Sequence, residues 1–253
     1  MTVRFDDLPG RVAVVTGASR GIGAATARLL AANGMSVGLI ARDEDALEDV
    51  REAIWNDGGR AVVAPADCTR PDALAFAAKH VANELGDVDV LAVFAGGNGR
   101  PQPSESMSPP AWRAILDGDL SSAFYTIQTF AAGMLERGRG SIITMSSAAG
   151  RTPSQANVAY AVAKAGVVML TRHLAAEYAS RGVRVNALAP AAVRNRKMAA
   201  LPAAQFEAMS HAFPLGRIGE PADVAAAAAY LASDASGWIT GVTLDIAGGK
   251  VAA

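Results

Sequence analysis

The chain has 253 residues, 51% of them apolar and 19% charged. This excludes a disordered polymer, which needs low hydrophobicity and high net charge. Its 23 basic and 24 acidic side chains cancel to a net charge of −1, so it lacks the basic footprint of a nucleic-acid binder.

One cysteine, Cys68, cannot form an internal disulfide. The three histidines, His80, His173 and His211, are scattered, and no spacing matches a zinc site, so no metal is expected. Arg4, Asp6 and Asp7 occupy the first ten residues with no signal-peptide core after them, which predicts that the protein is not secreted.

Seven short aliphatic runs alternate with helical stretches. The first, 12–15, leads into a glycine-rich turn and helix formers over 24–32. Run two, 36–41, precedes a charged amphipathic stretch at 43–56. Run three, 61–66, precedes a helix expected over about 71–85. The fourth is 88–95, and the last three are 141–145, 183–188 and 242–246. Runs apolar on both faces and separated by helices predict parallel strands covered on two sides. The expected fold is a single-domain α/β, Rossmann-type, doubly wound parallel sheet of about seven strands. Although the length would allow about 1.7 domains, no linker divides it. The Pro/Ser-rich stretch at 101–110 reads as a loop. The longest apolar stretch, 224–232, is too short for the ~20 residues of a membrane span. It predicts a buried or oligomer-facing helix, in a cytoplasmic protein with neither membrane nor nucleic-acid partner.

Between the first run and its helix lies Thr16-Gly17-Ala18-Ser19-Arg20-Gly21-Ile22-Gly23. Glycines at such a turn let backbone approach a pyrophosphate, which the following helix N-terminus favours. Further on, Tyr160 and Lys164 stand four residues apart, on one helix face. A phenol is a poor proton donor at neutral pH, and a nearby ammonium favours its phenolate. Tyr160 can therefore act as acid or base, with Lys164 tuning it. Ser147, at the end of the fifth run, can hydrogen-bond an oxygen on which charge develops.

These residues resemble the short-chain dehydrogenase/reductase family. The glycine turn matches its T-G-x-x-x-G-I-G, Tyr160 to Lys164 its Y-x-x-x-K, and Ser147 its serine 13 residues earlier. Asn186 to Pro190 resembles N-x-x-x-P, and Ile239-Thr-Gly241 with Gly248-Gly249 resembles the C-terminal motif. The resemblance spans roughly 10–249. It implies one domain over 1–253, with a dinucleotide-binding half at about 10–150 and a catalytic and substrate half at about 140–249. It resembles most the carbonyl-reducing branch that includes 3-oxoacyl-(acyl-carrier-protein) reductases.

By that resemblance the catalytic set is Ser147, Tyr160, Lys164 and Asp119. Asp119 stands where many members have asparagine, thought to hold a water on the proton route to the lysine. A carboxylate there would lie near Lys164, directly or through a water, and weaken its push on Tyr160. Alternatively, it only replaces a backbone-bonding asparagine. Two further departures are Phe94 in the N-N-A-G segment after strand four and Ala191 after Pro190. Asp119 and Phe94 keep a degenerate dinucleotide-binding sensor or subunit open as the second function class.

The cofactor set implied is Gly17, Ser19, Arg20, Gly21, Ile22, Gly23, Arg42, Asp67, Cys68, Ala95, Gly96, Gly97, Pro190, Val193 and Asn195, joined by Tyr160 and Lys164. Ala41 takes the place of the acid that grips the adenosine ribose in NAD-preferring members. Arginine forks at Arg20 and Arg42 suit a 2′-phosphate, so NADP(H) is expected ahead of NAD(H). The two would look the same as solvated surface arginines. The substrate expected is a small-molecule ketone or alcohol, contacted by 97–103 and by a partly apolar lid at 191–213 that includes Arg194, Arg196, Lys197, Met198, Leu201, Phe206 and Met209. Small residues along the Tyr160 helix and at 225–229 predict a homo-oligomer, dimer or tetramer. Arg181, with Arg137 and Arg139, is the candidate dock for an acyl carrier protein.

Overall fold

The computed structural model describes residues 3–195, 198 and 202–250. Its elements in chain order are β1 (Val12–Thr16), α1 (Gly21–Ala32), β2 (Ser36–Ile40), α2 (Glu44–Asn56), β3 (Arg60–Val63), α3 (Pro71–Leu85), β4 (Val90–Val93) and α4 (Pro109–Leu116). There follow α5 (Ser122–Arg137), β5 (Gly140–Met145), α6 (Val158–Tyr178), β6 (Val183–Pro190), α7 (Ala203–His211), α8 (Pro221–Ala232) and β7 (Thr243–Ile246). A widened π-type turn, Asp117–Ser121, joins α4 to α5.

All seven strands are parallel, in the order β3-β2-β1-β4-β5-β6-β7. Alternation of period two splits the core between the two faces. Ala13, Val15, Val90 and Ala92 pack with α1, α2 and α8. Val12, Val14, Leu91 and Val93 pack with α3, α5 and α6. Both faces are therefore apolar, and every residue of β1 is buried. The chain order reverses between β1 and β4, which opens a crevice at the C-terminal strand ends.

Several expected boundaries shift for local reasons. The fourth strand stops at Val93 because the Phe94 and Ala95 amides turn aside and donate to Thr16 Oγ1. At the sheet edge beside β2, β3 ends at Val63, although the Ala64 and Ala66 amides still donate to the Leu39 and Ala41 carbonyls. Asp43 caps α2 rather than joining it, accepting from the Ala46 amide. Alanines 225, 228 and 229 are buried in their own chain's core, so the 225–229 run forms no flat outer face. On α6, by contrast, Val158, Val162 and Met169 are 40–61% exposed, and Ala165 completes an apolar stripe at helical spacing. Among the described residues no helix is long and apolar enough to cross a membrane, and no His/Cys/Asp/Glu group could hold a metal ion.

Candidate active site

A cleft of about 960 Å³ runs across the crevice. It is lined by the glycine turn, Ala41, Arg42, Asp67 and Cys68, and also by Ala95 to Asn98, Ser147, Tyr160, Lys164, Pro190, Val193, Arg194, Asn195 and Met198. Every residue expected to touch cofactor thus lies along one cavity, as do Ser147, Tyr160 and Lys164 of the four expected catalytic residues; Asp119 is buried behind the lining.

The turn after β1 is shaped by backbone. Gly17 has φ of 67°, and an added methyl at Gly23 would stand 2.2 Å from the Gly17 carbonyl oxygen. Glycine is required there by close approach as well as by conformation. Arg20 and Arg42 are exposed, and neither has an ion-pair partner among the described residues. The Thr69 amide and hydroxyl donate to Asp67 Oδ1. The amide bond above all, helped by the hydroxyl and by Arg42 and Arg70, holds Asp67 below the usual carboxylate range despite partial burial. Burial pushes the Cys68 thiol up to about 11, so it serves as packing.

Ser146 and Ser147 follow β5, and α6 delivers Tyr160 and Lys164. Ser146 Oγ donates to the Lys164 carbonyl, which ties strand end to helix. Lys164 Nζ is 5.5 Å from the Tyr160 ring centroid and donates to the Met145 carbonyl at 2.9 Å. It also pairs with Asp119 Oδ1 at 3.2 Å, with the two side chains only 3% and 0% exposed. The expected neighbourhood of Asp119 and Lys164 is therefore a direct ion pair, with no room for a bridging water between the charged atoms. The widened turn at Asp117–Ser121 is what points Asp119 inward.

Asn157 was not singled out in the sequence. It caps α6 by accepting from the Tyr160 amide, and Asn-x-x-Tyr ahead of the helix was a legible cap signal. Thr16, the acceptor for two amides after β4, was likewise missed. Arg194 stacks on Phe206 at 4.5 Å and pairs with Glu220 at 2.6 Å, fixing one side of the expected lid. Of that lid, Arg196, Lys197 and Leu201 lie outside the described residues.

The candidate carrier dock is elsewhere. Arg137 pairs with Asp87, and Arg139 with Asp89. Both precede the start of β5, and Arg181 precedes the start of β6. All three belong to the N-terminal edge of the sheet, opposite Ser147 and Pro190, because the connection from each helix returns the chain to that edge.

Comparison with known proteins agrees with this geometry. The family model described as Enoyl-(Acyl carrier protein) reductase matches residues 17–250. The chain belongs to the short-chain dehydrogenase/reductase family, and is an oxidoreductase of that family. It is 39% identical to the cis-4-hydroxycyclohexanecarboxylate dehydrogenase of Sinomonas cyclohexanicum, covering 96% of this chain and 97% of that one. It is 37% identical to a 3-oxoacyl-(acyl-carrier-protein) reductase of Vibrio cholerae, over 96% and 98%. A solved 3-oxoacyl-(acyl-carrier-protein) reductase from Brucella melitensis with bound NAD superposes at a TM-score of 0.86, with 34% identity over 96% of this chain and 93% of the other.

A nicotinamide dinucleotide is therefore implied, and the cleft fits one. The Gly17–Gly23 turn has no room for side chains at Gly17 and Gly23, and Arg20 within it and Arg42 beside it have no ion-pair partner among the described residues.

Proposed function

We propose that this chain is an NADP(H)-dependent carbonyl reductase, taking a ketone to a secondary alcohol with Tyr160 as proton donor. The observation that carries the reading is Lys164 Nζ 5.5 Å from the Tyr160 ring centroid, in one cleft with Ser147, the glycine turn, Arg20 and Arg42. The reduced nicotinamide, when bound, supplies the hydride for the carbonyl carbon. Ser147 donates a hydrogen bond to the carbonyl oxygen. Tyr160 gives that oxygen its phenolic proton as negative charge builds there. Lys164 favours the phenolate left behind and orients the nicotinamide ribose. Oxidation of an alcohol uses the same groups in reverse.

Arg20 and Arg42, with Ala41 where an acid would sit, favour NADP(H). The Brucella relative with NAD marks the alternative, an NAD(H)-dependent alcohol dehydrogenase. The names of the relatives point to cyclic hydroxy acids and 3-oxoacyl thioesters, so a test panel spans both. The exposed stripe on α6 supports a symmetric homo-oligomer, dimer or tetramer.

Fluorescence titration with NADPH and NADH, followed by turnover on that panel, tests the reading. NADPH should bind about tenfold tighter or more, one charge-assisted contact's worth, and the gap should narrow at high salt. Arg42→Ala should close most of it. Tyr160→Phe should keep NADPH binding and cut turnover by about 10² or more. Equal affinities would sink the cofactor preference, and near-native turnover in Tyr160→Phe would sink the mechanism.

A further inference from the structure

The carboxylate of Asp119 is held on both oxygens. Gly97 N–H donates to Oδ1 at 2.6 Å, beside the Lys164 ammonium at 3.2 Å. Asn98 donates to Oδ2 twice, from its backbone amide at 3.2 Å and from Nδ2 at 2.9 Å. Three hydrogen bonds and one ion pair thus commit both carboxylate oxygens within the protein. Space beside them is short as well, since a methyl group at Gly96 would crowd Oδ1.

The same bonds run further. Asn157 Nδ2 donates to the Asn98 carbonyl at 2.8 Å and the Arg100 carbonyl at 2.9 Å, while its Oδ1 accepts from the Tyr160 amide at 2.9 Å. Tyr160 and Lys164 are one helical turn apart. The path Lys164–Asp119–Asn98–Asn157–Tyr160 therefore closes on itself. It joins the π-type turn, the loop after β4 and the first turns of α6. Gly99 within that loop lies against the Tyr160 ring.

We propose that Asp119, Asn98 and Asn157 are positioning residues that clamp the loop at 96–100 onto α6 and preset the Lys164 ammonium. The Lys164 ammonium donates to the Met145 carbonyl and is ion-paired with Asp119, so its position is fixed before a ligand arrives. The kinetic part of this inference rests on Tyr160 and Lys164 being the reacting pair, whereas the clamp itself does not.

Amide hydrogen exchange on the full chain, with steady-state kinetics alongside, tests it. Asparagine at 119 keeps one acceptor oxygen and turns an NH₂ toward donors. Asp119→Asn should therefore speed exchange at Gly97 and Asn98 by about tenfold or more, while Leu91 and Val93 in β4 stay unchanged. Asn98→Ala removes one donor from an exposed loop residue and serves if the first variant folds poorly; it should speed exchange at Gly97. Each variant should lower kcat by about tenfold through lost alignment. The double variant should fall little further than the worse single, because both cut one tie. Unchanged Gly97 exchange in both variants would overturn the clamp, and multiplicative losses of kcat would overturn its unity. Should wild type bind no nicotinamide and turn over no alcohol or ketone, the proposed function falls, and the exchange measurement still decides on the clamp.

Discussion

The turn after β1 and the turn after α4 both line one cleft, and they are held by opposite means. At Gly17–Gly23 the fit comes from missing side chains, so backbone packs on backbone. At Asp117–Ser121 it comes from one charged side chain, Asp119, buried to 1% exposure and paired with a lysine at 2%. A backbone-built wall tolerates charge changes nearby but no added atom. A charge-built wall tolerates neither loss of its partner nor loss of its donors, since a buried ion left alone keeps its full desolvation cost.

The largest expected effect falls at the charged turn. Asp119→Ala leaves the Lys164 ammonium uncompensated and should cost about 3–5 kcal/mol of stability in urea unfolding. The exposed pair Arg70–Asp72, with side chains 66% and 69% exposed, is the control, and Arg70→Ala should leave the midpoint where it was. Equal shifts in the two variants would erase the contrast. Next comes Gly23→Ala. It should weaken dinucleotide binding by about tenfold, roughly 1.4 kcal/mol, while shifting the urea midpoint less than Asp119→Ala does. A variant that lost stability but bound normally would show that the glycine serves the fold instead of the ligand.

The smallest effect at neutral pH concerns Cys68, which lines the same cleft as the backbone-built turn. Burial raises its thiol to about 11, so the folded state disfavours the thiolate. Its contribution to stability is intact below the unfolded value of roughly 8.5 and is lost as pH rises toward 11. Iodoacetamide at pH 8 should therefore modify native protein far more slowly than urea-unfolded protein. Fast labelling of the folded chain would mean that this part of the cleft opens.

Sequence pattern carried the sheet and the backbone-built turn well. Run length and period located all seven strands, because a strand buried on both faces has to be aliphatic throughout. The glycine turn was legible because each glycine answers a local steric demand. Tyr160 and Lys164 were legible because their spacing lies within one helix. Asp119 was flagged, but its direct bond to Lys164 was not legible, since it depends on how a widened turn swings one residue across a gap between elements. The same limit applies to Arg137, Arg139 and Arg181, whose charge was visible while the sheet edge that carries them was not.

The loop between β4 and α4 has a root and a tip. Its root, through Arg100, is tied to α6 by Asn157 and to the π-type turn by Asp119. Beyond it, Gln102 donates to the Ser106 carbonyl and Ser106 to the Pro103 carbonyl, so the tip bonds within itself. Most of its residues from Pro101 to Ser108 are exposed. A segment built this way is a natural graft point. Its outer residues can be exchanged or lengthened to meet a bulkier or more polar molecule, while the anchored base keeps Tyr160 under the same roof.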